Sequence, residues 1–219
     1  MGAQGDLSAI AINCSLKSCS GPPSSTDRMI KVIADAFAPL GVVLKETIRV
    51  SEHNILPGVS SDEGAGDAWP DIRRRLLSAD ILIFGTPIWL GQPSSLAKRI
   101  LERMDAFLSD MDDQGRTPAF DKIAVLGIVG NEDGAHHVTA ELFQALNDVG
   151  WTIPAMASCY WVGEAMHKIN FEDLEPVPGQ VCELASGVAA SAAHLARLIK
   201  ASGYPGKAGW RPTTDHSRH

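Results

Sequence analysis

The stretch "INCSLKSCSGPPSSTDRMI", Ile12 to Ile30, decides how the chain is read. It leaves the apolar run "SAIAIN" at 8–13, crosses a turn rich in Ser with one Lys, and enters the amphipathic stretch "TDRMIKVIADAFAPL". A short apolar run bounded by turn residues reads as a strand covered on both faces, and apolar residues recurring every three to four positions read as a helix packed on one side. In an open parallel sheet, the loop of such a strand-loop-helix unit lies where ligands bind, beyond the carboxyl end of the strand.

The unit recurs along the chain. Apolar runs at 42–50 ("VVLKETIRV"), 80–86 ("DILIFGT"), 122–130 ("KIAVLGIVG") and 151–161 ("WTIPAMASCYW") alternate with the helical patterns "WPDIRRRLLSA", "SSLAKRILERMDAFL", "AHHVTAELFQALNDVG" and "VCELASGVAASAAHLARLIKA". In the second of these patterns Leu96, Ile100, Leu101, Met104 and Phe107 share one face, while Lys98, Arg99, Glu102 and Arg103 lie elsewhere. Five strands alternating with five helices predict an α/β fold: a three-layer α/β/α sandwich around a five-stranded parallel sheet in the flavodoxin-like order 2-1-3-4-5. Ser94 or Ser95 is placed to cap the third helix, and Gly150 to end the fourth.

Residues 1–203 are expected to form one domain, and 204–219, rich in Gly, Pro and polar residues, a partly flexible tail. Three connections exceed the usual length: 51–68, 109–121 and 162–180. Long loops in a compact domain are commonly functional or mediate assembly, so these are candidates for a site rim or for subunit contacts.

Composition excludes several classes. The 219 residues are 45% hydrophobic, enough for a full core, and the formal charge of -7 comes without a Lys/Arg stripe, so no nucleic acid partner is expected. No apolar run approaches the roughly 20 residues of a membrane span, and "MGAQGDLSAI" lacks the basic segment and apolar core of a signal peptide. The chain reads as cytoplasmic with no membrane association. Met1-Gly2 does not make a myristoylation signal, because Asp6 stands where that motif takes Ser or Thr. Cys14, Cys19, Cys159 and Cys182 form no C-x-x-C pair and no iron-sulfur run, and read as free thiols.

Three loops fall at the ligand-binding edge of the expected sheet. The first lacks both G-x-G-x-x-G and G-x-x-x-x-G-K-[ST], which disfavours a dinucleotide or NTPase site. It offers Ser15, Lys17, Ser18 and Ser20, then Ser24, Ser25 and Thr26 at a helix start whose free N–H groups and dipole suit an anion. That set makes a cup for one phosphate, although Ser25 or Thr26 would equally serve as a plain helix cap. The second loop, "GTPIWLGQPSS" from Gly85 to Ser95, sets Pro87 and a large Trp89 just past a buried strand, an apolar wall for a flat heterocycle, or alternatively a packing or interface element. The third, "GNEDGA" from Gly130 to Ala135, runs into a helix and presents Asn131 and backbone N–H groups to electron-rich ring edges. Glu132 and Asp133 also suit a helix start through the dipole alone. His136 and His137, adjacent on a helix, point apart and have no further ligand at metal-binding spacing.

Taken together, "GTPIWLGQPSSLAKRILER", the Ser/Lys loop before it and "IVGNEDGAHHVTAELFQALNDVGW" after it resemble the flavodoxin-like NAD(P)H-dependent FMN reductase family, in particular its branch of multimeric flavodoxins and Trp-repressor-binding-protein-type quinone reductases. The resemblance covers about residues 8–200. It implies that Ser15, Lys17, Ser25 and Thr26 hold the FMN phosphate, that Pro87, Ile88, Trp89, Leu90 and Gly91 flank the isoalloxazine, and that Gly130, Asn131, Glu132, Asp133 and Gly134 line its pyrimidine edge. The first loop departs from the family's G-S-x-R-x-x-S pattern through Asn13-Cys14 and a longer "SCSGPPSST" run, which leaves open whether Ser24, Ser25 or Thr26 reaches the phosphate.

The implied activity is hydride transfer from NADH or NADPH through bound FMN to a small acceptor such as a quinone, flavin, nitro or azo compound. The alternative is an electron carrier that never turns over a nicotinamide nucleotide. No catalytic side chain is required, although Trp89, Tyr160 and Trp161 are candidates for shaping the acceptor pocket. The resemblance also implies a homodimer or homotetramer, in which the loops at 54–70 and 112–120 are candidates for covering a neighbour's site, or alternatively only close off sheet edges.

Overall fold

The computed structural model describes residues 7–164 and 167–206. Strands β1 (Leu7–Asn13), β2 (Val42–Arg49), β3 (Ile81–Trp89), β5 (Ile123–Gly130) and β6 (Ser158–Val162) form a parallel sheet in the order β2-β1-β3-β5-β6. This is the expected order 2-1-3-4-5 once the two-residue β4 (Gln92–Pro93), which folds back antiparallel on β3, is set aside. The crossovers are α1 (Ser25–Phe37), α2 (Trp69–Leu77), α3 (Ser95–Met104) and α4 (Ala135–Asp148), with α5 (Gly179–Ser202) closing the chain.

Alternate strand residues bury into two cores. On one face Ile10, Ile12, Leu82 and Phe84 pack under α2, α3 and α4 through Trp69, Ile72, Ile100, Met104, Val138 and Leu142. On the other, Ala9, Ala11, Ile81, Ile83, Ile123 and Val125 meet α1 and α5, whose Met29, Ile33, Val188 and Ala192 complete that layer. Both faces of the sheet are therefore dry, as all-parallel strands require.

Two strand ends differ from the sequence reading. β3 continues to Trp89, because Ile88 and Trp89 pair with Pro93 and Gln92 around the positive-φ residues Leu90 and Gly91. The last strand starts at Ser158 instead of 151: Thr152 makes only an isolated bridge to Ile123, and the chain turns through Pro154, which has no N–H to give a ladder, and Met156 at φ 59°. The expected flexible tail lies, from 207 onward, outside the described residues, as do residues 1–6.

Glycines set how close α1 lies to the sheet. A Cβ at Gly85 would stand 2.7 Å from Ile30 and 2.9 Å from Thr26, and one at Gly127 would stand 3.1 Å from both Ile33 and Met29. The first turns of α1 therefore rest directly on β3 and β5, bringing the helix N-terminus to the carboxyl edge of the strands.

The 51–68 connection is clamped to α3. Arg103, fully buried, donates to Leu56 O at 2.9 Å and to the Asp67 carboxylate at 2.7 Å, and Arg99 donates to Ile55 O at 2.7 Å. Asp67 also accepts the N–H groups of Leu56, Glu63 and Trp69. Burial works against its charge, but these donors outweigh it and hold the carboxyl below the usual range.

Candidate functional site

The first loop is braced from below. Asn13, at the end of β1, accepts the Ser15 N–H at 2.8 Å and donates to Asp27 at 2.5 Å, and Asp27 pairs with Arg49 at the end of β2. Arg49 and Ser51 both donate to Lys17 O, at 3.1 and 2.9 Å, and Glu52 takes the Cys19 N–H at 2.6 Å. Within the loop, Ser15 Oγ accepts the Lys17 N–H at 3.2 Å.

Ser24 occupies the N-cap position of α1, yet its hydroxyl caps nothing. That hydroxyl lines the cleft, and the helix-cap role considered for Ser25 or Thr26 falls to neither, since the N-cap position is Ser24. Ser25 Oγ instead receives the Glu172 N–H at 3.3 Å, and the Thr26 side chain is buried against Gly85.

The side formed by the second and third loops is built differently. Pro87 pairs in register with Val129, and a Cβ at Gly130 would stand 2.8 Å from Ile88. Gly134, at φ 128°, stacks on Gly91 so closely that a Cβ would lie 2.8 Å from the Gly91 Cα. The Leu90 N–H donates to Glu132 at 2.6 Å, and Asp133 turns back to its neighbour's Gly134 N–H. Trp89 remains 54% exposed beside the cleft.

The third contributor is the connection after β6. A short helical turn, Phe171–Asp173, is closed by reciprocal bonds between Asn170 and Asp173, and it straps across the mouth of the first loop. Asn170 accepts from Asn131 at 2.6 Å, Glu172 accepts from Lys17 Nζ at 2.8 Å, and Arg28 of α1 donates to Glu172 O at 2.6 Å and to Glu175 at 2.9 Å. Lys17 Nζ is also held by Pro23 O at 2.7 Å.

These pieces enclose one cleft of about 230 Å³. Into it the structure brings Ser15, Lys17, Ser24, Ser25 and Thr26 from the first loop, Pro87, Ile88 and Trp89 from the second, and Gly130, Asn131 and Glu132 from the third. Leu90, Gly91, Asp133 and Gly134 do not line it: Leu90 and Gly91 form the hairpin tip, and Gly134 packs on Gly91. Leu16, Val129, Asn170 and Glu172 line the cleft without having been singled out by sequence. The length of the 162–180 connection was the available signal, and it did not say which of its side chains would face inward. Tyr160 and Trp161 do not line the cleft: the Tyr160 hydroxyl meets His136 at 3.1 Å, and Trp161 stacks on Phe171 at 5.5 Å. The thiols take no part either, as Cys14 and Cys159 are buried and desolvation pushes Cys159 up to about 12.

The cleft therefore offers one ammonium, a free hydroxyl and unpaired helix-start N–H groups at one end, and an apolar wall with backbone amides at the other, a donor set that suits a single phosphate joined to a flat ring.

Comparison with known proteins identifies the class. The model of the NADPH-dependent FMN reductase family matches residues 7–166, and the chain belongs to that family. The family match supports an oxidoreductase enzyme that works with FMN.

Among individual relatives, the chain is 30% identical over 208 residues to the 8-demethyl-8-aminoriboflavin-5'-phosphate synthase of Streptomyces davaonensis, with 90% of this chain and 80% of that protein covered. It superposes on the crystal structure of RosB with the bound intermediate 8-demethyl-8-formylriboflavin-5'-phosphate with a TM-score of 0.80 at 28% identity, covering 90% and 82% of the two chains. It is also 37% identical over 163 residues, 73% of its length, to the divalent metal cation transporter MntH of Mycobacterium bovis, but it spans only 24% of that protein. Among the described residues, no helix is long and apolar enough to cross a membrane.

Proposed function

We propose that this chain binds FMN in the cleft and passes a hydride from NADH or NADPH to a small acceptor such as a quinone, a second flavin, or a nitro or azo compound. The observation that carries this reading is the convergence of the Lys17 and Ser24 phosphate donors with the Pro87–Trp89 wall in a single cleft. Bound FMN supplies the hydride chemistry. The chain's own task is to hold and orient the flavin: Ser15, Lys17, Ser24 and Ser25 at the phosphate, Pro87, Ile88 and Trp89 along the ring, and Gly130, Asn131 and Glu132 at its pyrimidine edge. The N–H groups of the third loop favour negative charge at that edge. The partly exposed Trp89 leaves room for a second planar molecule, and no side chain is needed as a nucleophile.

The test is anaerobic reduction of the FMN-loaded protein. Bleaching of the flavin absorbance by NADH or NADPH and recovery with benzoquinone is the expected result. Reduction by dithionite but by neither nucleotide would sink the hydride step and leave an electron carrier.

A second reading rests on the Streptomyces relative, whose likeness runs over 90% of this chain, including the strap. In that reading riboflavin-5'-phosphate is a substrate altered on its ring. Mass spectrometry of the flavin recovered after aerobic incubation separates the two: unchanged FMN fits the reductase, and a changed mass fits the relative's class of reaction.

We also propose a cytoplasmic homodimer or homotetramer, with the exposed Trp89 and Leu90 tip as a contact. Light scattering during gel filtration checks the assembly.

A further inference from the structure

The cup holds a carboxylate that an anion-binding site does not obviously want. Glu172 Oε1 accepts from Lys17 at 2.8 Å, while Oε2 is buried with no partner, and the side chain is only 11% exposed. Its main chain is pinned on both sides, with the N–H on Ser25 Oγ and the carbonyl on Arg28, so it is built into the cup.

The charges around it are largely committed. Arg28 of α1 pairs with Glu175 of the strap, Asp27 of α1 pairs with Arg49 of β2, and Asp173 closes the turn on Asn170. Glu132 of the third loop takes the Leu90 N–H. Of the charged residues lining the cleft, Lys17 is the cation, and Glu172 already balances it.

A buried carboxylate oxygen only accepts hydrogen bonds, and leaving it without a donor is unfavourable. A phosphate dianion or a phosphodiester brings no hydrogen. A phosphomonoester carrying one proton does.

We infer that Glu172 makes this cup selective for a terminal phosphate in its singly protonated form, with Oε2 accepting the P–O–H while Lys17, Ser24 and the α1 N–H groups hold the other oxygens. The inference rests on the flavin phosphate lying in the cup, and it adds a specificity-determining residue to that reading.

The test uses the full chain freed of flavin, with FMN and riboflavin titrated by fluorescence quenching from pH 5.5 to 8.5 at constant ionic strength. The second ionisation of a phosphomonoester lies near about 6. FMN affinity is therefore expected to fall about tenfold per pH unit above pH 7, while riboflavin affinity stays flat. Glu172→Gln, whose amide can donate to a dianion, is expected to flatten the FMN profile and to bind FMN more tightly than the wild type at pH 8.5.

FMN binding that is independent of pH in the wild type overturns the inference alone, and needs no variant to show it. So does a slope that persists unchanged in Glu172→Gln. FMN binding no tighter than riboflavin at any pH overturns the phosphate reading of the cup itself.

Discussion

The two ends of the cleft are held by different physics. The first-loop end is tied by side chains from distant elements: Asn13–Asp27–Arg49 beneath the loop, Lys17–Glu172 across it, and the Arg103–Asp67 pair fixing the neighbouring 51–68 connection. The end built by the second and third loops is held mainly by backbone contact, through Gly134 on Gly91 and Gly130 against Ile88, with Trp89 partly in solvent. Charged networks give directional rigidity suited to a small anion of fixed shape, whereas close backbone packing gives a flat wall suited to a planar ligand. Each end should therefore fail in its own way.

The largest effect is expected from Arg103→Met, which leaves the Asp67 carboxylate buried without its cation. Loss of one partner of a buried pair costs about 3–5 kcal/mol. Thermal unfolding should move down by roughly 10 °C, as read by calorimetry. Because Asp67 ionises more readily folded than unfolded, its stabilisation is complete above the ordinary carboxylate range and is lost as pH falls through its folded value. Wild-type stability should accordingly decline at pH below about 4, and acid unfolding of the variant should begin at higher pH.

Gly134→Ala comes next. At φ 128°, with Gly91 in the way, a methyl group strains the backbone by about 1–3 kcal/mol and pushes the second and third loops apart. Affinity for FMN and for riboflavin should fall together, since the damage is to the ring wall.

Asp27→Ala attacks the other end. It frees Asn13 and Arg49 from their shared partner and loosens the first loop, so FMN binding should weaken by about tenfold, the scale of one charge-assisted bond. Riboflavin binding should be unchanged. Equal losses for both flavins would show that the two ends are mechanically coupled.

The smallest change in stability is expected for Trp89→Ala. An exposed rim residue should alter folding by no more than about 0.5 kcal/mol. Losing its ring contact should weaken both flavins a few-fold, in line with about 0.5–1.5 kcal/mol for an aromatic pair. Fluorescence quenching titrations check both binding effects.

Much of this was legible in the amino acids. Continuous apolar runs such as "DILIFGT" announce strands buried on both faces, and of the two serines that read as a cap, Ser94 and Ser95, Ser94 is the one, accepting the Ala97 N–H at 3.1 Å. The end of β3 was not legible, because Pro87 reads as a terminator in a one-dimensional pattern but stays in register with Val129 at the carboxyl end of the strands. The last strand was overextended, because Trp151 and Ile153 are apolar for a reason other than strand formation: they fill the cores as the chain turns.

Local sequence thus settled the alternation of strands and helices and the three loops at the carboxyl edge, since both depend on periodicity and turn chemistry within about a dozen residues. Tertiary structure alone decided that Glu172 would face Lys17 and that Arg49 would lie beneath the first loop. Those partners stand 155 and 32 residues apart in the chain, and nothing in the periodicity near either carries information about the other. They meet because α1 rests on Gly85 and Gly127, and because Arg28 holds the strap down on that helix.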